Sequence, residues 1–221
     1  MAEISAKEAA VSGLHVTFSP MVDLVRDPRW GRVMESTGED PLLNSRLAAA
    51  MVRGYQGENL REDNWRVAAC VKHFAAYGGA LAGRDYNTVD MSERQLREMY
   101  LPGYKAGLDA GAKLVMTSFN TVDGVPATGN QWLFRDVLRN EFGFEGVVIS
   151  DWGAIKELIP HGVAKDEKQA AELAIKAGVD IEMMTTCYPD YLKELLEEGR
   201  IAETLIDEAV MRILKLKNEL G

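Results

Sequence analysis

Short apolar runs alternate with stretches of helical periodicity along the whole chain, the pattern of repeated βα units around a parallel sheet. Runs at 15–19, 67–72, 114–118, 147–150 and 179–183 read as strands, several of them unbroken Val, Ile and Ala, as expected where both faces are covered. Between them the helix ends are legible. Asp40 caps a helix with Pro41 at its first position, and this helix carries Leu43, Leu47, Ala50 and Met51 on one face as far as Gly54. Ser92-Glu93-Arg94-Gln95 has the spacing of a capping box and opens a helix to about Tyr100, which Pro102 is expected to kink or interrupt. Asn130 caps a segment with Leu133, Val137 and Leu138 that stops at Gly143. The run from Ala170 to Ala177 is closed by Gly178, and a last amphipathic helix carries Ile206, Val210, Ile213 and Leu214.

Two connections are long. The first strand is followed by roughly twenty residues before its helix and the second by "FAAYGGALAGRDYNTVDM", where ordinary βα loops take about 2–6. Both leave the C-terminal ends of strands, the face on which (β/α)8 barrels build their chemistry. A closed barrel takes eight strands and about 250 residues. Five to six βα units in 221 residues therefore predict an α/β fold of the (β/α)8 TIM-barrel type that is N-terminally truncated, with residues 1–221 forming a partial barrel domain. "MAEISAKEAAVSGLHV" fits that reading, as the tail of a helix feeding a strand.

Composition narrows the partners. A formal net charge of −9 argues against nucleic acid and anionic membrane, which need clustered Lys and Arg. The sequence contains no apolar run of about 18 residues and no secretory leader pattern. The expectation is a soluble, cytoplasmic chain, with a periplasmic or secreted parent left open because a leader would lie upstream of Met1. Cys70 and Cys187 stand alone, without the spacing of a metal site or a disulfide framework, and no cofactor is implied.

The candidate chemistry collects at strand ends: Asp23 with "RDPRWGR", Lys72-His73, "GRDYN", Met116 through Asn120, and Asp151-Trp152. Cationic donors around one aspartate, with aromatic faces beside it, suit a neutral ligand rich in hydroxyls, such as a sugar. Each residue also has a plainer reading. Asp151 can be a helix N-cap after a strand, Lys72 an ion-paired barrel lysine, His73 a satisfied core histidine and Trp152 ordinary packing. Adjacent strand residues point to opposite faces, so Lys72 and His73 can share a ligand only where the strand ends or bulges.

Taken together, "RDPRWGRVMESTGEDP", "VKHFAAYGG", "GRDYNTVDMSERQLREMYLPGYKAGLDAG", "VMTSFNTVDGVPATGNQWLFRDVLR" and "GVVISDWGAIKELI" resemble the N-terminal catalytic domain of glycoside hydrolase family 3, nearest to its broad-specificity bacterial β-glucosidases. The resemblance implies a retaining exo-acting enzyme that releases terminal β-D-glucosyl residues through a glycosyl-enzyme ester on Asp151. It places Arg32, Lys72 and His73 on the hydroxyls of the bound sugar, adds Arg84 as a further sugar-binding arginine, and puts Met116 and Trp152 among the substrate-binding residues. Glu35 and Asp85 then orient these bases. The implied partners are β-linked glucosides or oligosaccharides, and a homo-oligomer is compatible.

Two departures from the family pattern matter. Phe119 stands where many relatives carry Tyr, which removes a phenolic hydrogen bond to the nucleophile. "AAYGGALAGRDYN" lacks the Asp-Ser-His triplet of the N-acetylglucosaminidase branch, so the acid/base is expected to be a glutamate on a C-terminal α/β sandwich domain absent from residues 1–221. General acid catalysis contributes about 10²–10⁴-fold, so the chain alone is expected to be a poor or inactive glycosidase. Alternatives within the family are a β-xylosidase or arabinofuranosidase and an inactive sugar-binding fragment. From another class comes a Schiff-base aldolase using Lys72, disfavoured by the carboxylate-rich loops around it.

Overall fold

The computed structural model describes residues 1–86 and 88–221; Asn87 of the "GRDYN" motif lies outside the described residues. Helix α1 (Ala2–Val11) leads into β1 (Val16–Thr17), α2 (Pro41–Gln56) and β2 (Ala68–Phe74). Helix α3 (Glu93–Gln95), a π-helical turn (Leu96–Tyr100) and α4 (Leu101–Asp109) run on as one rod into β3 (Leu114–Thr117). A small hairpin of β4 (Thr121–Val122) and β5 (Val125–Pro126) follows, then a π-helix (Trp132–Glu141) and β6 (Val147–Ile149). Helices α5 (Glu167–Ala177), α6 (Cys187–Glu197) and α7 (Glu203–Leu220) complete the chain.

The main sheet is parallel, in the order β1-β2-β3-β6, so neighbours in space are neighbours in chain order. The segment predicted as a fifth strand joins it through a single parallel bridge, Ile149 to Ile181. Among the described residues these strands form an open sheet, consistent with part of a barrel, and do not close. The period of two along each strand sorts the core into two layers. Val67, Ala69, Val71, Val115 and Val148 face outward and pack with the helices. Ala68, Cys70, Leu114, Met116, Val147 and Ile149 face inward and are joined by Leu216 of α7.

The predicted caps hold. Asp40 accepts from Leu43 N at 2.8 Å, Ser92 from Gln95 N at 3.2 Å and Asn130 from Leu133 N at 3.1 Å, while Gly178 closes α5 at φ 105°. Other expectations are corrected. The helix opening at Ser92 passes through Pro102 to Asp109, because the π-helical turn before the proline widens the backbone where a ring would clash and an N–H is missing. Helix α2 buries Asn44, Ala48, Val52 and Tyr55, leaving Leu43 and Leu47 exposed. Its seam is set by Asn44, whose amide donates to Val22 O at 3.1 Å and Thr37 Oγ1 at 2.8 Å. Val210 and Leu214 of α7 are exposed, and Ala209 and Leu216 are the buried positions. Helix α6 and the β4–β5 hairpin escaped the sequence reading.

Candidate active site

Strand β2 carries a register shift. Val71 pairs with Val115 and Phe74 with Thr117, so three steps on β2 oppose two on β3. One extra residue therefore sits at Lys72-His73, the irregularity that lets two consecutive side chains serve one face. Lys72 has no ion pair and no side-chain hydrogen bond among the described residues, so it is not the paired barrel lysine of the plainer reading. His73 is buried, with Nδ1 2.7 Å from Asp23 Oδ2 and Nε2 3.5 Å from Asp151 Oδ2.

Asp151 stands just past the end of β6 and is 8 % exposed. Its backbone N donates to Thr117 Oγ1 at 3.2 Å, and Thr117 is in turn 2.9 Å from Thr128 Oγ1. Its Oδ1 accepts from Trp152 N at 2.7 Å, while Oδ2 is buried without a hydrogen bond among the described residues. An N-cap would accept from a residue two or three positions on, so the capping reading falls. A carboxylate with one oxygen aligned and the other left without a partner is an arrangement suited to attack or to ligand binding.

Around it stand donors and aromatic faces. Arg32 forks onto Glu35, Nε to Oε1 at 2.7 Å and Nη2 to Oε2 at 2.9 Å, and its guanidinium lies 5.6 Å from the Tyr77 ring centre. The Arg32 hydrogen bonds hold the Glu35 carboxyl below the usual range, and the charges of Lys72 and His73 act on it in the same direction. Arg32 itself is raised by that pairing. Tyr77 packs edge-on to His73 at 5.3 Å and to Trp30 at 5.1 Å, and Tyr86 lies 4.4 Å from Phe119. Burial pushes the Tyr77 phenol upward. Desolvation, and then the charge of Asp151, raise the Glu157 carboxyl, while the Tyr86 phenol is raised by desolvation, then by Glu157 and then by Asp151.

The structure thus brings Arg32, Lys72, His73 and Asp151 into one neighbourhood, with Trp152 at its rim, 62 % exposed. Met116 lies one level deeper, 2 % exposed in the inner apolar layer beside Cys70 and Ile149. Arg84 is exposed, with no side-chain partner among the described residues, and Asp85 braces Trp30 instead of Arg84. The sequence reading missed the aromatic wall of Tyr77 and Tyr86, although the unusual length of their loop had marked the region. It named Asp23 without seeing its contact with His73. A surface concavity of about 730 Å³, lined by Arg139, Phe144, Met211 and Arg212, is at the opposite end of the strands and holds none of these groups.

A parallel α/β partial barrel with a buried carboxylate at a strand's C-terminal end, beside basic donors and aromatic faces, places the chain among the α/β-barrel domains that carry their site at that face. Residues 1–216 match the family described as the Glycosyl hydrolase family 3 N terminal domain, and the chain belongs to that family. It is 49% identical over 218 residues to the Periplasmic beta-glucosidase of Salmonella typhimurium, covering 99% of this chain and 28% of that protein. It is 38% identical over 232 residues to a Beta-xylosidase of Formosa agariphila, covering 100% of this chain and 32% of that one. The crystal structure of a beta-glucosidase from Listeria innocua in complex with glucose superposes with a TM-score of 0.99 at 65% identity, covering 100% of this chain and 31% of that chain. The chain thus spans about a third of the length of the relatives it matches.

Proposed function

We propose that this chain is the nucleophile-bearing part of a retaining exo-β-glucosidase, with Asp151 as the nucleophile. Asp151 Oδ2 attacks the anomeric carbon as the bond to the aglycone oxygen breaks, and a general acid protonates that oxygen. Water then attacks the glycosyl ester, giving its proton to the same group, and Asp151 is released. Arg32, Lys72 and His73 hold the sugar hydroxyls, Trp152 and Arg84 contact the substrate from the rim and loop, and Met116 floors the site. The observation that carries the reading is the buried Oδ2 of Asp151 beside His73, unpartnered among the described residues, with Oδ1 fixed by Trp152 N.

The acid/base is a glutamate supplied from outside residues 1–221, on a second domain. Asp23 is unsuited to the task, since it is fully buried and already accepts from His73 and Tyr104. A 2-deoxy-2-fluoro-β-glucoside with a dinitrophenolate leaving group tests the nucleophile without needing that acid, because such a group departs unprotonated. Mass spectrometry should find the sugar esterified to Asp151. Label on another carboxylate, or on none, overturns the assignment. A borohydride-reducible adduct on Lys72 with a carbonyl substrate would instead favour the aldolase reading.

A β-xylosidase is the second reading, favoured by the relative from Formosa agariphila at 38% identity. Aryl glucoside and aryl xyloside, compared by kcat/KM, separate the two; faster xyloside turnover reverses the preference. The substrate class is β-linked glucosides or oligosaccharides. No helix of the described residues is long and apolar enough to cross a membrane. The two free cysteines suit a reducing compartment and support the cytoplasm, whereas one relative's name places that protein in the periplasm. Cell fractionation decides.

A further inference from the structure

The carboxylate of Asp23 has no place in the reaction above, yet it is the most completely enclosed charge beside it, with no exposed surface. An unpaired carboxylate in such a position would be strongly destabilising. Here Oδ2 accepts from the His73 backbone N at 3.1 Å and lies 2.7 Å from His73 Nδ1, while Oδ1 accepts from the Tyr104 hydroxyl at 2.6 Å. Tyr104 is itself anchored, 2.7 Å from His73 O and accepting from Ala76 N at 3.2 Å. An ionised carboxylate can only accept, so Nδ1 of His73 must be the donor. That leaves Nε2 as the ring atom turned toward Asp151 Oδ2, at 3.5 Å.

The Asp151 side of this chain gives the arrangement its weight. Among the described residues Oδ2 has no hydrogen-bond partner, and the aromatic position that could have offered a hydroxyl is Phe119. With the ring proton on Nδ1, His73 Nε2 faces Oδ2 without a hydrogen bond to it and is left to accept from a ligand hydroxyl. We infer that Asp23 is a positioning residue: it fixes the His73 ring with Nδ1 as donor, and so holds Nε2 as an acceptor beside Asp151 Oδ2, with Tyr104 as its second brace. The inference rests on the reading of Asp151 as nucleophile. Asp23 acts only through His73, since its carboxylate is sealed from any ligand. This is the arrangement by which a carboxylate selects the tautomer of a working histidine.

The chain contains three histidines, so ¹⁵N NMR of the labelled protein can resolve His73 once His15→Gln and His161→Gln assign the other two. The unsubstituted protein should give a protonated Nδ1 on His73 with a downfield, exchange-protected proton. In Asp23→Asn the amide oxygen can still accept from the ring and its NH₂ can donate to Tyr104, so the packing is kept while the charge is lost. The Nδ1 proton should then move upfield, and labelling of Asp151 by the dinitrophenyl fluoro-glucoside should slow by about 10²-fold, the size expected for a displaced reacting group. Tyr104→Phe leaves Asp23 with one donor fewer, so it should lean harder on His73 and the proton should move further downfield. This second variant carries the test if Asp23→Asn does not fold.

An Nδ1 without a proton in the unsubstituted protein overturns the inference. So does a His73 signal that stays in place in the folded variants. If the spectra behave as expected but no sugar is trapped on Asp151, the reading of the nucleophile fails and the brace on His73 stands by itself as structure.

Discussion

Trp30 Nε1 donates to Asp85 Oδ1 at 3.0 Å, tying the "RDPRWGR" loop to the "GRDYN" loop. The two motifs lie far apart in sequence, and each sits on one of the long excursions that leave a strand end. Trp30 is almost fully buried against Tyr77, so the indole is both the packing core of this loop pair and its latch. Trp30→Phe keeps the packing class and removes the donor. A net hydrogen bond is worth about 1 kcal/mol and a smaller ring leaves part of a cavity, so the expected loss is about 1–3 kcal/mol in urea unfolding. Arg84 is exposed beside this latch, and trypsin should cut after it faster in the variant. Unchanged cleavage would mean that the latch does not hold the loop.

Trp152 separates binding from folding. It is largely solvent-exposed at the rim, so Trp152→Ala should leave the unfolding midpoint nearly unchanged, within about 0.5 kcal/mol. Its face suits the apolar C–H surface of a pyranose, and its removal should raise the concentration of fluoro-glucoside needed for half-maximal labelling of Asp151. A clear drop in stability would instead assign the indole to packing.

Glu157 provides a pH handle. Its carboxyl is raised by burial and, secondly, by the charge of Asp151. A carboxyl whose folded pKa is raised holds its proton more tightly in the native state. Stability is therefore greatest below the ordinary glutamate value of about 4.3 and falls as pH rises through the higher folded value. At neutral pH the ionised group opposes folding, and Glu157→Gln should raise the melting temperature there. The gain should shrink to nothing near pH 4. A variant less stable than the parent at pH 7 would show that Glu157 is paired, contrary to the structure.

The sheet and the caps were legible because they rest on local rules. A run such as "GVVIS" has few uses other than a covered strand, and Asp40-Pro41 states a helix start in two residues. The catalytic-looking aspartate was legible for a different reason: a carboxylate at the tip of an apolar strand needs explaining, and the neighbouring motifs supplied the context. What stayed hidden was pairwise and distant. Nothing in "SPMVDLV" announces that Asp23 meets His73 and Tyr104, because those contacts exist only once β2 and α4 are laid side by side. The buried face of α2 was misjudged on the same ground. Periodicity favoured Leu43 and Leu47, but Asn44 is drawn inward by Val22 O and Thr37, a gain invisible to hydropathy.

A buried charge cluster holds the end of the domain. Asp180 Oδ1 pairs with Arg212 of α7 at 2.8 Å, and Oδ2 pairs with Arg139 at 3.1 Å while accepting from Val148 N at 2.8 Å. Burial raises the Asp180 carboxyl and depresses Arg139 to about 10, so desolvation outweighs pairing on both sides. Such a cluster is weakly stabilising as a whole and costly to break. Asp180→Asn leaves two guanidinium groups without their counter-charge and should cost about 3–5 kcal/mol in chemical denaturation. Asp180→Asn combined with Arg139→Met should lose less than the sum of the two single changes, because the orphaned cation is removed with its partner. Additive losses would mean that the pair does not act as a unit.

Helix α4 packs on α2 at Gly103, where an added Cβ would collide with Asn44 Oδ1. Helix propensity alone favours Gly103→Ala by about 1 kcal/mol. Packing opposes it, since Asn44 would have to leave its place and give up its bonds to Val22 O and Thr37 Oγ1. Overpacking and a broken buried hydrogen bond each cost about 1–3 kcal/mol, so the clash should win and the variant should be destabilised by roughly 2–4 kcal/mol. In an Asn44→Ala background the obstruction is gone, and adding Gly103→Ala should then cost little or be favourable. The coupling between the two sites, measured by urea unfolding of the four proteins, should therefore exceed 1 kcal/mol. A coupling near zero would mean that α2 and α4 do not meet through this pair.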